Sequence, residues 1–286
     1  MAAAKKTVLV TGAAGFVGQA TVLALAHAGW QVTGGVRSAA QPLGDGQISL
    51  DLSQPAAILA LAGAVRFDAI VHLGAHVGLS GSAEAEMFVP NVLATGCLVH
   101  LASCWEAPLI FASTAIVHGV KTERIESDSP PLPDTPYANG KLLGEQLLVA
   151  SHVRHCILRI AGIFGHAGPA HLGLNRAIDG ALKGDAPIQI GLGEALRNYV
   201  YVKDVAQAIA HALQEDLAGT HLLAGHEVMP IGGMLQAVCD AFLPGQHPSL
   251  QVGTEAVSQV IKPSPFLPQT RSFRDALVDI RKEFRQ

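Results

Sequence analysis

Short apolar runs alternate with longer stretches whose apolar positions recur every three or four residues. TVLVTG (7–12), rich in β-branched residues, predicts a first strand. FVGQATVLALAHAG (16–29) predicts a helix that stops at Gly29, a residue suited to the left-handed turn after a helix. QVTGGVR (31–37) and ISLDL (48–52) predict the second and third strands, and PAAILALAG (55–63) a helix with proline in its first turn. FDAIVHLGA (67–75) predicts a fourth strand, residues 84–105 carry helical periodicity, and APLIFAST (107–114) predicts a fifth strand. A helix is expected over 137–152, and HCILRIAGIFG (155–165) opens with a sixth strand. Strand–helix alternation over this length predicts an α/β chain: a Rossmann-type, doubly wound parallel sheet with helices on both faces.

Beyond residue 165 the pattern is less regular. LGLNRAIDGALKG, VKDVAQAIAHALQ and IGGMLQAVCDAFL read as helices, with short strands at PIQIG, NYVYV and THLLAG. Residues 244–272, rich in Pro, Ser and Gln, read as loop. The expected division is a nucleotide-binding domain over 1–165 and a smaller, mixed substrate-binding region over 166–286, with 198–224 returning to the first domain.

Composition narrows the partners. The 286-residue chain has a net charge of −4 and no basic block, which argues against nucleic acid. Cys97, Cys104, Cys156 and Cys239 are scattered, so neither a disulfide framework nor a metal site is expected, and a reducing cytoplasm fits. The opening MAAAKKTVLVTG runs straight into a strand without a signal-peptide pattern, and no uninterrupted apolar run has the length of a membrane span.

Two short patterns carry chemistry. The first turn reads TGAAGFVG, with Gly12, Gly15 and Gly18 between a strand and a helix. A dinucleotide site needs glycine there, because the chain turns tightly and its backbone must approach a pyrophosphate at the helix N-terminus. Its spacing is G-x-x-G-x-x-G. The second pattern is Tyr137-x-x-x-Lys141, which puts both side chains on one helix face. A neighbouring ammonium favours the phenolate, so it is expected to lower the tyrosine pKa and fit it for proton transfer near neutrality.

With VTGAAGFVG, the Asp51–Leu52 pair, FDAIVHLGA, FVPNVLATG, IFASTAIVHG, YANGK, LRIAGIFG and RNYVYVKDVAQAI in this order, the chain resembles the extended short-chain dehydrogenase/reductases over about residues 7–225, specifically their NAD(P)-dependent epimerase/dehydratase group. The resemblance implies Tyr137 as acid/base and Lys141 as its partner and a ligand of the nicotinamide ribose. It implies a hydroxyl from Ser113 or Thr114, with Thr114 in the aligned place. The implied cofactor contacts are Gly12, Gly15, Phe16, Val17, Gly18, Asp51, Leu52, Leu73, Gly74 and Ala75, and Asp51 alternatively serves as a cap near Ser53. Asn91 resembles a residue that steadies the active-site backbone. The second strand carries Val36 where NAD enzymes place a carboxylate, and Arg37 follows, so NADP(H) is favoured over NAD(H). Ala115 and Ile116 stand where 4,6-dehydratases carry an Asp-Glu pair, which argues against dehydration. His118 replaces the usual tyrosine and is expected to face substrate. Arg197 and Asn175 resemble the diphosphate contacts of nucleotide-sugar enzymes, Arg197 being alternatively a structural partner of Asp204. The expected partner is a small molecule, a nucleotide sugar, in a homodimer. The expected reaction is epimerisation or keto-sugar reduction, the alternative substrates being a sugar acid, a lactone or another small carbonyl compound.

Overall fold

The computed structural model describes residues 5–37, 44–78 and 84–284. The first half alternates as expected. It runs β1 (Thr7–Thr11), α1 (Phe16–His27), β2 (Gln31–Val36), β3 (Gly46–Ser49), α2 (Pro55–Ala60), β4 (Ala69–His72), α3 (Glu84–Phe88), α4 (Ala94–Trp105), β5 (Leu109–Thr114), β6 (Arg124–Ile125), α5 (Pro136–Ala150) and β7 (His155–Ile160). Then follow β8 (Ile163–Phe164), α6 (Gly173–Leu182), β9 (Ile188–Ile190), β10 (Leu196–Arg197), β11 (Val200–Tyr201), α7 (Val202–Gln214), β12 (Gly219–Leu223), β13 (Met229–Pro230), α8 (Ile231–Phe242), β14 (Ser249–Gln251), β15 (Val260–Ile261) and α9 (Phe273–Phe284).

Seven strands form one parallel sheet in the order β12-β7-β5-β4-β1-β2-β3. The order doubles back on either side of β1 and β4, which leaves a crevice at the carboxyl ends of the central strands. Val8, Val10, Ile110 and Leu158 point to the face covered by α1 and α7, joined there by Val22, Leu25, Val205 and Ile209. Leu9, Ile70, Leu109, Phe111 and Ile157 point to the other face, against Ile58, Leu98, Leu101 and Leu148. The period-two alternation of β1 thus feeds two cores. A third core lies in the C-terminal region, where α6, α8 and α9 bury Leu174, Ile178, Val238, Phe273, Leu277 and Ile280 around Phe164 and Tyr201.

Four points differ from the sequence reading. Residues 244–272, read as loop, carry the short strands β14 and β15, each made by pairing with a distant strand, β9 and β6. The third strand ends at Ser49, so Asp51 and Leu52 stand in the following turn, free of the ladder. The helical stretch before β5 contains a π-helical turn over Val89–Leu93. Pro90 has no N–H to give there, and the wider turn accommodates the break. Helix α9 went unseen in the sequence; its amphipathic residues Phe273, Ala276, Leu277 and Ile280 are buried. Among the described residues one helical stretch, Glu86–Trp105, has the length and apolarity of a membrane span, and its buried side chains Leu98, Leu101 and Trp105 belong to the second core.

Candidate active site and cofactor cleft

The glycine turn is built as the sequence predicts. Gly12 sits at φ +68°, and a Cβ on it would stand 2.7 Å from the Gly74 nitrogen. A Cβ on Gly18 would stand 2.1 Å from the Gly12 oxygen, so that glycine lets α1 seat against β1. Gly15 is the residue before α1, and no side chain caps the helix N-terminus. The helix start has no acidic side chain in its first turn, and Gly15 before it lines the cleft, which suits an anion there.

The cleft is about 510 Å³ and is lined by Gly12, Gly15, Arg37, Asp51, Leu52, Leu73, Gly74 and Ala75 of the expected set. Val36, read as standing in the usual carboxylate position, lines it too, as do Ala14, His76 and Pro90, which the sequence had not singled out. Phe16, Val17 and Gly18 are not on its wall; Phe16 reaches instead toward Gly165 and the third core. Val36 is buried at the strand end and Arg37 is the first exposed residue after it. Asp51 accepts hydrogen bonds from the Ser53 amide (2.9 Å) and hydroxyl (2.8 Å), which together with the nearby Arg37 charge hold its carboxyl below the usual range. Asp51 therefore holds the turn at Ser53 and lines the wall, while helix α2 starts after Gln54 without a side-chain cap.

A buried polar chain fixes the far side of the cleft. Register places Thr11 of β1 beside His72 of β4. The Gly74 amide donates to the Thr11 hydroxyl at 3.2 Å, and Thr11 meets His72 Nδ1 at 2.7 Å. His72 Nε2 lies 3.0 Å from the Thr95 hydroxyl, which donates to the Asn91 carbonyl at 2.8 Å. With the Thr95 proton so directed, His72 donates from Nε2 and accepts at Nδ1, a neutral tautomer. Burial and the Lys141 charge push His72 well below its ordinary pKa, in keeping with that state. Asn91 closes the chain by accepting from the His76 amide (2.7 Å) and donating to the His76 carbonyl (2.8 Å).

The reacting residues come from β5 and α5. Thr135 caps α5, its hydroxyl accepting from the Ala138 amide at 3.2 Å, and Pro136 opens the first turn, which sets Tyr137 at the helix start. Lys141, fully buried, donates to the Ala112 carbonyl at 2.8 Å and lies 4.7 Å from the centre of the Phe111 ring. Its pKa is lowered to about 8 by burial, with Glu145 acting in the opposite direction. The expected lowering of the tyrosine does not appear. Burial pushes Tyr137 up to about 12, because the phenolate would lose its water.

The two candidate hydroxyls separate. Ser113 is buried and donates to Glu145 at 2.5 Å. The Thr114 hydroxyl only accepts, from the Ile116 amide at 3.4 Å, so its proton is free for another acceptor. Glu145 also takes a forked ion pair from Arg159, at 3.1 and 3.2 Å from Nε and 2.7 Å from a terminal nitrogen. Register across β5 and β7 pairs Ser113 with Arg159, which is why the three groups meet. The sequence reading missed Glu145 and Arg159; the signal was Glu145 one further turn along the Tyr137–Lys141 face.

Three expected substrate contacts are placed elsewhere. His118 is 1% exposed; Nδ1 sits 3.1 Å from the Pro130 carbonyl and Nε2 3.1 Å from Arg159. A carbonyl only accepts, so Nδ1 carries the proton and Nε2 receives the guanidinium. The imidazole is thus structural and does not face substrate, because both ring nitrogens are engaged. Asn175 gives its amide to backbone, accepting from the Gly165 amide at 3.0 Å and donating to the Ile163 carbonyl at 3.1 Å. Arg197 donates to the carbonyls of Leu196 (3.0 Å) and Val257. Asp204 pairs with Arg271 instead.

Residues 8–225 match the model of the NAD dependent epimerase/dehydratase family. The chain belongs to that family. It is therefore an enzyme of the extended short-chain dehydrogenase/reductases. A UDP-glucose 4-epimerase of Azospirillum brasilense is 30% identical over 244 residues, 74% of this chain and 69% of that protein. A 2-alkyl-3-oxoalkanoate reductase of Stenotrophomonas maltophilia is 35% identical over 158 residues, 51% of this chain and 46% of that one. The solved UDP-glucose 4-epimerase of Thermus thermophilus in complex with NAD superposes with a TM-score of 0.83 at 26% identity, covering 98% of this chain and 99% of the other. Family membership and the glycine cradle both fit a nicotinamide dinucleotide.

Proposed function

We propose that this epimerase/dehydratase-family enzyme acts at a carbinol or keto carbon of a nucleotide sugar, as an epimerase or keto-sugar reductase. The observation that carries the reading is the placement of Thr114 at the carboxyl end of β5 and of Tyr137 and Lys141 on the first turns of α5, in the same sheet whose β1 end carries the glycine cleft. A nicotinamide cofactor supplies hydride acceptance and donation when bound. Tyr137 moves the proton at its hydroxyl oxygen to or from the substrate oxygen. Thr114 donates its free hydroxyl proton to that oxygen and so holds it in line. Lys141 supplies positive charge beneath the phenol, stabilising the anionic form as proton transfer proceeds, and Glu145 helps keep it protonated in its buried position. Leu73, Gly74 and Ala75 wall the cofactor, and Asn91 holds their continuation at His76. Arg37, exposed on the lip and unopposed by a carboxylate at position 36, favours a 2′-phosphate and hence NADP(H).

A second reading is reduction of a smaller carbonyl compound. It is favoured by a second cleft, about 540 Å³, beside α6, whose walls include the apolar Leu174, Ile188 and Met234, and by the similarity to the 2-alkyl-3-oxoalkanoate reductase over half the chain. A cytoplasmic location accords with four free cysteines. A homodimer through α4 and α5 accords with the exposed Leu93, Leu143 and Leu147 along that side.

The test has two parts. The purified protein is denatured and the released cofactor identified; near-stoichiometric retained cofactor supports an epimerase, and an empty protein that binds NADPH supports a reductase. Tyr137→Phe is then assayed with UDP-sugars and with 3-oxo acids. A fall of about 10²–10⁴ in kcat with cofactor binding intact is expected. Full activity in that variant would overturn the acid/base assignment.

A further inference from the structure

Helix α5 lies close on β5, and successive residues of that strand meet it. A Cβ on Gly144 would stand 2.8 Å from the Phe111 ring, so a glycine lets the helix rest this low. The Ala112 carbonyl accepts from Lys141 at 2.8 Å. The Ser113 hydroxyl donates to Glu145, one helical turn beyond Lys141, at 2.5 Å. Thr114 comes next, and its hydroxyl proton is the one left free. Lys141 and Glu145 thus grip adjacent residues of β5 and fix where along the strand the helix rests. Glu145 is 3% exposed and is itself held. Arg159 of β7 donates to both of its oxygens, and the His118 ring meets another nitrogen of that guanidinium. A fork on a carboxylate fixes its orientation as well as its place.

We infer that Glu145 is a positioning residue for the reaction: it seats α5 on β5 with Tyr137 and Lys141 set against the Thr114 end of the strand, and it supplies the counter-charge of the Lys141 ammonium. This rests on the Tyr137–Lys141–Thr114 reading and adds the residue that holds the three in register. The titratable groups around Lys141 are Tyr137 and Glu145 of its own helix and His72 of β4, with Arg159 of β7 behind Glu145. From β5 it meets a carbonyl and the Phe111 ring, neither of which titrates. His72 and His118 are neutral, so Glu145 is the negative charge set between the two cations Lys141 and Arg159. A leucine would fill the same space. It would leave Ser113 and Arg159 without their partner and the ammonium without its counter-charge.

The test is a pH titration by carbon NMR of the full-length protein labelled at the lysine ε-carbon, as purified and again saturated with NADPH or NADH. The Lys141 resonance is identified by its loss in Lys141→Met. Glu145→Gln is expected to move the Lys141 titration down by about one pH unit, a tenfold loss of proton affinity. Glu145→Asp keeps the charge and is expected to bring it back to within about 0.3 unit of the wild type. The alkaline fall of kcat, followed with UDP-glucose and with a 3-oxo acid, should move with the titration, while KM stays within a factor of about three. Glu145→Gln leaves Arg159 without its carboxylate, so the double variant Glu145→Gln/Arg159→Met is measured beside it. Replacing a buried ion pair by neutral side chains of similar volume is tolerated, and Lys141 should move in the same direction. A Lys141 titration unmoved in the folded variants, with only a lowered melting temperature, would overturn the inference and leave Glu145 a partner of Arg159 and nothing more. Wild-type protein that turns over neither probe would overturn the reaction reading instead, and the titration would still decide the place of Glu145.

Discussion

Single residues at this site are held by burial more than by neighbouring charge. Lys141 shows the conflict: water is gone, one carbonyl and one aromatic face remain, and the ammonium is depressed to about 8. A group in that state costs stability for the sake of chemistry. Lys141→Met is accordingly expected to inactivate the enzyme while raising its stability at pH 7 by about 1–3 kcal/mol in urea unfolding. The two buried histidines predict a pH effect. His72 and His118 are both depressed below 6.5, so the unfolded chain binds their protons more readily than the native one. Stability is therefore full above the ordinary histidine value and falls as pH drops through 6.5 and below. His118→Phe should flatten that slope in denaturation midpoints measured between pH 7 and 5, and an unchanged slope would remove His118 from the account. At the cleft lip, Arg37→Asp should reverse a preference for NADPH over NADH, read as the ratio of kcat/KM values. The glycines and the Tyr137–Lys141 pair were visible in the sequence, because a Cβ clash and a four-residue helical spacing are local facts. The condition of Tyr137 was not, since its pKa depends on what covers it.

At the scale of elements, the site depends on how three helix starts are anchored. Helix α1 begins without a side-chain cap, α5 begins with Thr135 and Pro136, and the π turn over Val89–Leu93 places Asn91 where its amide grips His76. Asn91→Ala takes the side-chain partner from both the amide and the carbonyl of His76, at a part-buried position on the cleft wall. The expected cost is about 1–3 kcal/mol of stability, with a raised cofactor Kd measured by fluorescence titration. An unchanged Kd would mean that the His76 segment does not shape the cleft. The strands and long helices were legible from periodicity, and β1, α1, β2 and α7 agree closely with expectation. The π turn was not legible, because proline signals a break in the hydrogen-bond ladder without saying how the helix absorbs it. Helix α9 escaped for another reason: its apolar positions Phe273, Ala276, Leu277 and Ile280 stand among many charged residues and gain a core only by packing on α8.

The whole molecule combines a two-faced parallel sheet with a third core that carries the second cleft. Phe273 fixes that core, 5.0 Å from the Phe164 ring centre. Phe273→Ala should cost about 3–5 kcal/mol and loosen substrate binding more than cofactor binding, compared by differential scanning calorimetry and ligand titration. Equal loss of both would mean that the two clefts unfold as one. The sequence by itself determined the alternation of strands and helices, the glycine cradle and the shared helix face of Tyr137 and Lys141, which follow from periodicity, local sterics and spacing within one element. Thr114 was preferred to Ser113 through the family resemblance alone. Tertiary structure decided which of two adjacent hydroxyls is free, since Ser113 is taken by Glu145 and Arg159 from other elements. It also decided that His118 and Asn175 hold the backbone and an arginine, and that Arg197 is held by backbone carbonyls. The physical reason is the same in each case. A side chain's role depends on the partners that satisfy it, and those partners are tens of residues away in the chain and a few ångströms away in space.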